Sequence, residues 1–377
     1  MYNASLKSLK LFVFRLKLPA FSLKIFAFNP KPFDFCLKPL AFKLIIKALA
    51  FIIPISPCLV FLLLASCSPS AQGDREGTAL TVTDFRGREI SLTKPPERVV
   101  CLIESALSGI YMLGQEHRLS GIPSAVYRKD LHRYYAQLDD RIKNRELPTP
   151  GNWDFVSIEQ IAGLDPDLVI IWASQTEAIE SIERLGIPVY AVMLHSFDDV
   201  YKEITDFGVM FDCSGCADSL IETTRGRLAE IESAYSNQNP KSVYFMWAQG
   251  ITETSGTNST VNELLQVAGT VNACTLEAEH VSVSVEKLYD WDPDMIVMWY
   301  NERLSPRDII ANPLLQGLQA VRNKRVYELP GVFSCDFWTL KMQFPAQLIA
   351  TWAYSCSTDT DQVLNDMYVT LYGKPLY

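Results

Sequence analysis

Catalytic signatures are scarce in this chain. No two of its 18 glycines are separated by a single residue, which excludes the dinucleotide-binding fingerprint. Gly109 and Gly114 have P-loop spacing, but Gln115 stands where the phosphate-binding lysine belongs. There is no nucleophile elbow and no His-Glu-x-x-His, and the four histidines, His117, His132, His195 and His280, share no helical or strand spacing. Covalent and zinc-dependent hydrolysis therefore have nothing to build on. Cys213-Ser214-Gly215-Cys216 has metal-like spacing, yet no second such pair exists to complete a zinc site. Two cysteines three apart in a helix read as small apolar packing residues.

Acid is nearly missing from the first 47 residues, which hold nine Lys and Arg against Asp34 alone. Residues 48 to 66 carry no charge and end in Leu62-Leu63-Leu64-Ala65-Ser66, just before Cys67. A basic region, an apolar core and small residues before a cut make a secretory signal. The order Leu64-Ala65-Ser66-Cys67 resembles a bacterial lipobox, with Cys67 as the lipidated mature N-terminus. We expect residues 1–66 to be a leader and 67–79 a lipid-anchored tether, giving an exported protein held on a membrane. An uncleaved anchor competes, since 19 uncharged residues could just span a bilayer; Pro54, Pro57 and the polar tether favour cleavage. The mature chain then has 25 Lys and Arg against 42 Asp and Glu, a net charge of −17. That excludes nucleic acid and an anionic lipid surface as partners of the body itself. Six cysteines remain, Cys101, Cys213, Cys216, Cys274, Cys335 and Cys356; export permits disulfides, a core of this size does not need them, and pairing is not legible.

What the chain does have is one stretch written twice. Ser157-Ile158-Glu159-Gln160-Ile161, three residues, then Asp165-Pro166-Asp167-Leu168-Val169-Ile170-Ile171-Trp172 returns as Ser284-Val285-Glu286-Lys287-Leu288, three residues, then Asp292-Pro293-Asp294-Met295-Ile296-Val297-Met298-Trp299. Each copy reads as a serine-capped helix with Glu in its first turn, a Pro stop, and an apolar run buried on both faces of a parallel sheet. A period of 127 residues suits a duplicated domain.

Along the chain, Leu80 to Pro96 reads as a β-hairpin turning at Asp84–Arg88. Strands are expected near Arg98–Leu102, Leu119–Ile122, Pro188–Met193, Ser242–Met246 and Arg325–Leu329. Helices are expected near Ala106–Leu113, Glu177–Leu185, Val261–Ala268, Pro306–Ala320 and Pro345–Tyr354. From Phe197 to Tyr235 the spacing is helical throughout, a connecting helix with a break point near Gly215. The predicted architecture is α/β, two Rossmann-like lobes with parallel sheets (80–196 and 237–377) joined by a long bridging helix (197–236). A ligand cleft is expected between them. In such sheets ligands bind beyond the carboxyl ends of the strands. The loops there carry Glu104 and Ser105, Tyr127 and Arg128, Trp153, Trp247 and Gln249, and Phe337 and Trp338, an aromatic binding site rather than a catalytic one.

The order Asp84-x-x-Gly87-Arg88, Pro96-x-Arg98-Val99-Val100, Leu113-Gly114, Glu159, Pro166-Asp167-Leu168-Val169-Ile170, Ser255-Gly256 and Ala320-Val321-x-Asn323-x-x-Val326-Tyr327 resembles the solute-binding proteins of bacterial ABC importers for iron-siderophores, haem and cobalamin. The resemblance covers about residues 80 to 355. It implies two lobes that rock slightly about a rigid connector. The implied partners are a permease with its ATPase and a small-molecule metal complex, with no covalent cofactor, no enzymatic activity, and the chain acting as a monomer. By position, Tyr127 and Trp153 resemble cleft aromatics of the cobalamin protein, and Glu159 resembles a glutamate that docks on the permease. The second docking acid falls at Asn258, with Glu263 about one turn on as its replacement. Arg128, Lys129 and Arg133 suggest an anionic chelate, a ferric siderophore or haem, with Tyr127 as a conceivable iron ligand. Cobalamin and molybdate or tungstate are the alternatives within the family, and an exported metal-cluster enzyme on the same plan is the alternative outside it.

Overall fold

A computed structural model describes residues 79–377; the expected leader and Cys67 lie outside the described residues. The chain opens on an antiparallel hairpin, β1 (Leu80–Thr83) and β2 (Glu89–Leu92). Gly87 supplies its positive φ of 76°. Two four-stranded parallel sheets follow. The first has the order β4 (Leu119–Gly121), β3 (Val99–Cys101), β5 (Leu168–Trp172), β6 (Val189–Val192). The two-residue strands β8 (Glu253–Thr254) and β10 (Val281–Ser282) pair antiparallel as a separate ribbon. The second sheet has the order β9 (Val271–Asn272), β7 (Ser242–Met246), β11 (Met295–Met298), β12 (Val326–Glu328). Each sheet therefore runs second, first, third, fourth in chain order, and the two repeat copies supply the third strand of each.

The repeated residues hold equivalent places. Ser157 Oγ accepts the Gln160 N–H at 3.3 Å and Ser284 Oγ accepts the Lys287 N–H at 3.2 Å, capping helices Ile158–Gly163 and Val285–Trp291. Asp165 and Asp292 turn the chain with left-handed φ of 46° and 34°, a conformation Asp tolerates better than most residues. Asp167 then accepts the N–H groups of Glu97 and Arg98, each at 2.8 Å, and Asp294 accepts the Ser242 N–H at 2.9 Å. In both lobes the aspartate of the repeat ties the third strand to the start of the first.

Strand parity decides what faces where. Val99, Cys101, Leu168 and Ile170 join a central core that also contains Val243, Phe245, Met295 and Val297 of the other sheet. The alternate residues Val100, Val169 and Ile171, and Tyr244, Ile296 and Met298, pack into separate outer clusters under each lobe's own helices.

The connector is two helices, Phe197–Met210 and Ser214–Tyr235, broken at Phe211–Cys213 where Asp212 takes φ 55°. The break falls just ahead of Gly215. The second helix packs back on the first where Gly208 meets Ala217, a contact so close that a Cβ on Gly208 would lie 2.6 Å from the Ala217 methyl. At about 1.5 Å per residue the longer helix is about 33 Å long. A second seam ties the C-terminal part of the chain to the first lobe. Helix Thr360–Tyr372, absent from the sequence reading, brings the Tyr372 hydroxyl to 2.6 Å from Ser108 Oγ of the first lobe, and Phe333 stacks on Tyr134 at 4.4 Å.

Two other stretches differ from expectation. Pro306–Ala320 is not one helix: it stops at Ala311, because Pro313 has no N–H to continue it and the Asn312 side chain caps a new turn through the Leu314 N–H. The polar stretch after Tyr127 contains a helix, Lys129–Leu138, whose buried face is Leu131, Tyr134 and Tyr135. All six cysteines of the described body are free. Among the described residues no helix is long and apolar enough to cross a membrane.

Candidate ligand-binding cleft

The first and third strands of each sheet end at one cavity of about 590 Å³, within the range of small-molecule sites. Leu102, Glu104 and Ser105 enter it after β3, Trp172 and Ser174 at the end of β5, Trp247 and Gln249 after β7, and Trp299 after β11. In each sheet the crevice between first and third strands is where the strand order reverses, the place an open α/β sheet leaves for ligands.

The parity of the strands explains the tryptophans. Trp172, Trp247 and Trp299 continue the alternation that faces the central core, and each stands at or just beyond its strand's end, where the core opens into the cleft. The Trp299 N–H still donates to the Met246 carbonyl at 2.8 Å, so the ladder holds its backbone in place. The Trp247 indole N–H donates to Ser255 Oγ at 2.9 Å. Its ring lies parallel to Trp338, with centroids 5.9 Å apart and planes at 3°. Trp299 leans across both at 55° and 58°. Behind them Phe337 fills the core.

Loop geometry sets Trp153 on the opposite wall. Asn152 Oδ1 accepts the N–H groups of Asp154 and Phe155, while Gln175 Nε2 donates to the carbonyls of Asn152 and Trp153. The tight turn needs Gly151, where a Cβ would lie 2.3 Å from the Phe155 carbonyl oxygen. The Trp153 ring is left 70% exposed. Gly256 plays the matching role under Trp247: a Cβ there would lie 1.8 Å from the Leu276 carbonyl oxygen, beside the Ser255 that holds the indole.

Six expected site residues line this cavity: Glu104, Ser105, Trp153, Trp247, Gln249 and Trp338. Three do not. Phe337 is wholly buried behind Trp299 and Trp338, at centroid distances of 5.3 and 4.8 Å. The Tyr127 hydroxyl donates to the Leu147 carbonyl at 2.9 Å and its ring lies under Arg145, so it does not present an iron ligand to the cleft. Arg128 faces Asp130 at 3.8 Å in a neighbouring groove, with Lys129, Arg133, Tyr300 and Glu302. Conversely Trp172, Trp299, Asn152, Ser174, His280 and Asp336 line the cavity without having been singled out. For the two tryptophans the signal was present, because each is the last residue of a repeat copy.

Of the two acids expected to dock on a permease, Glu159 is exposed in the first turn of its helix. Glu263 is not free: its carboxylate accepts the Phe197 N–H at 2.6 Å, capping the connector, and burial pushes its carboxyl up. The exposed counterpart of Glu159 is Glu286, its repeat equivalent.

The charged groups of the cleft wall are acidic. Asp336 is 3% exposed and burial drives its carboxyl up, against the opposing pull of the wholly buried Lys341, whose Nζ lies 4.0 Å from Oδ2. Burial pulls His280, packed on Trp247 at 4.7 Å, downward. Among the described residues no hydroxyl or thiol hydrogen-bonds to His280, and no three His, Cys, Asp or Glu side chains converge as a metal nest. The arrangement can enclose and grip a ligand.

Comparison with known proteins agrees with this geometry. The family model described as periplasmic binding protein matches residues 99–332. The chain is 24% identical over 288 residues to an uncharacterized ABC transporter substrate-binding lipoprotein of Bacillus subtilis, covering 72% of this chain and 87% of that one. It is 24% identical over 347 residues to the molybdate-binding protein MolA of Haemophilus influenzae, covering 83% and 95%. A periplasmic solute binding protein of Veillonella parvula shares the fold, with a TM-score of 0.67 at 23% identity over 79% of this chain and 94% of that one.

Proposed function

This chain belongs to the periplasmic binding protein family, and from that premise we propose that it is an exported, lipid-anchored receptor that captures a ferric siderophore in the tryptophan-lined cleft and delivers it to an ABC permease and its ATPase. Relatives are substrate-binding proteins of ABC transporters, which supports the permease and the small-molecule ligand as its partners. The observation that carries the reading is the convergence of four strand ends, two from each lobe, on one cavity walled by five of the chain's seven tryptophans. A wide aromatic wall suits a metal held in an organic shell, because the shell offers apolar and π surface to bury.

Haem loses its candidate ligand with Tyr127 turned away, and cobalamin loses one of its two cleft aromatics for the same reason. A bare oxyanion such as molybdate or tungstate, the kind of ligand for which MolA is named, would want cationic donors around it; no Lys or Arg is among the lining residues. The body acts by binding rather than catalysis and works as a monomer attached through the lipid on Cys67. Docking uses Glu159 on one lobe and Glu286 on the other, since the repeat places both in the first turn of an equivalent exposed helix.

Calorimetric titration of the purified protein with ferric hydroxamate and catecholate chelates, haem, cobalamin and molybdate tests this reading. Micromolar or tighter binding of a ferric chelate supports it. Binding of molybdate alone would replace it.

A further inference from the structure

The walls of the cleft differ from the rest of the chain in one respect that bears on ligand charge. The charged groups lining it are two carboxylates from opposite lobes, Glu104 and Asp336, with no lysine or arginine among them. The cations nearest in the reading of the sequence, Arg128, Lys129 and Arg133, belong to the adjoining groove, which meets the cleft only at Val332. From this we propose, resting on the receptor reading above, that the cleft contains a cation subsite. It takes a chelate bearing an alkylammonium group, seated against the tryptophan faces and paired with Glu104 and Asp336.

Three independent features meet there. The first is the aromatic surface. Trp247, Trp299 and Trp338 cluster on one wall; Trp247 is buried between its neighbours with its N–H engaged by Ser255, and the half-buried Trp299 and Trp338 leave ring surface to a ligand. The second is an orphaned oxygen. Asp336 Oδ1 accepts the Trp338 N–H at 3.1 Å, but Oδ2, on a side chain almost wholly buried, has no hydrogen-bond partner. Lys341 Nζ, 4.0 Å away, stands out of hydrogen-bond range over the Phe333 ring, also at 4.0 Å, and does not line the cleft. The third is the charge balance. Two carboxylates share one buried ammonium, and their mutual repulsion is among the causes that drive Asp336 upward. Burial also pushes the carboxyl of the other buried acid nearby, Glu203, far up. An ammonium in the cleft would relieve the repulsion and pair with acids from both lobes at once, which also gives it a way to hold the lobes together.

A matched pair of probes isolates the charge: a ferric trihydroxamate with a free terminal amine, and the same chelate acetylated on that amine. A ferric tris-catecholate, which carries three negative charges, is the third. The purified protein is expected to bind the ammonium form about tenfold or more tighter than the acetylated form, with the catecholate weakest. Glu104→Gln, which can still accept from the Tyr135 hydroxyl now donating to Glu104 at 2.9 Å, should bring the ratio of the first two towards one. If that variant does not fold, the wild-type ratio decides alone. Equal affinity for the paired probes, or preference for the catecholate, overturns the cation subsite and leaves the receptor standing. Failure of all three to bind overturns the siderophore reading, and the subsite falls with it.

Discussion

The two lobes share a skeleton and differ in their walls. Both have the same strand order, serine cap, left-handed aspartate, aspartate tie and closing tryptophan. Yet the first lobe faces the cleft with Glu104, Ser105, Asn152, Ser174, Trp172 and a projecting Trp153, while the second presents a packed slab of Trp247, Trp299 and Trp338 backed by Phe337. The residues that position a strand end recur in both lobes. The loops beyond that end differ, and they carry the residues that line the cavity.

Removing an aromatic from each wall should break this comparison most clearly. Trp247 is 5% exposed and packs on Phe245, Phe337 and two other tryptophans, so Trp247→Ala should cost about 3–5 kcal/mol in denaturant unfolding as well as ligand affinity. Trp153→Ala should leave stability within about 0.5 kcal/mol and weaken only binding. Equal stability losses would mean that the second wall is no more a part of the core than the first.

The next effect is steric. Gly256→Ala forces a methyl into the Leu276 carbonyl and should cost about 3 kcal/mol or more, releasing Trp247 from Ser255. A thermal melt of the variant unchanged from wild type would contradict the tight loop beneath that indole.

Docking sharpens the symmetry of the lobes instead. Glu159→Ala and Glu286→Ala should each lower transport in cells without altering ligand affinity, whereas Glu263→Ala should cost about 1 kcal/mol of stability through the lost cap on Phe197. Transport indifferent to Glu286 would confine docking to the first lobe.

The smallest effect is a pH slope carried by the second lobe. Burial pushes the Glu279 carboxyl up to about 7, and its Oε2 has no partner. The folded protein therefore holds this proton more tightly than the unfolded chain does. That contribution is fully present below the usual glutamate range and is lost as the pH rises through about 7. Glu279→Gln should flatten the decline in melting temperature between about pH 5 and pH 8; an unchanged slope would place its origin elsewhere.

Much of this molecule was legible because the repeat fixes strand, cap and tie together. The buried runs of β5 and β11 and the serine caps followed from residue type alone. The site was harder to read. Phe337 and Tyr127 are aromatic and near strand ends, but whether such a ring faces the cleft or the core depends on packing that spacing does not encode. Trp172 and Trp299 were readable through parity, since residues two and four before each of them point into the shared core. Asp336 was not: its place depends on a short helical turn, Val332–Cys335, that brings it against Lys341. The break at Asp212 was legible only through its neighbour Gly215, three residues on, because the apolar spacing continues across it.

The central claim is that the ligand lies between the repeat-related strand ends, and tryptophan fluorescence tests it most directly. With the ferric chelate that binds tightest, wild-type emission should change saturably, and both Trp172→Phe and Trp299→Phe should reduce the amplitude of that change. Saturable binding with an amplitude untouched by either substitution would place the ligand outside the cleft and contradict the account.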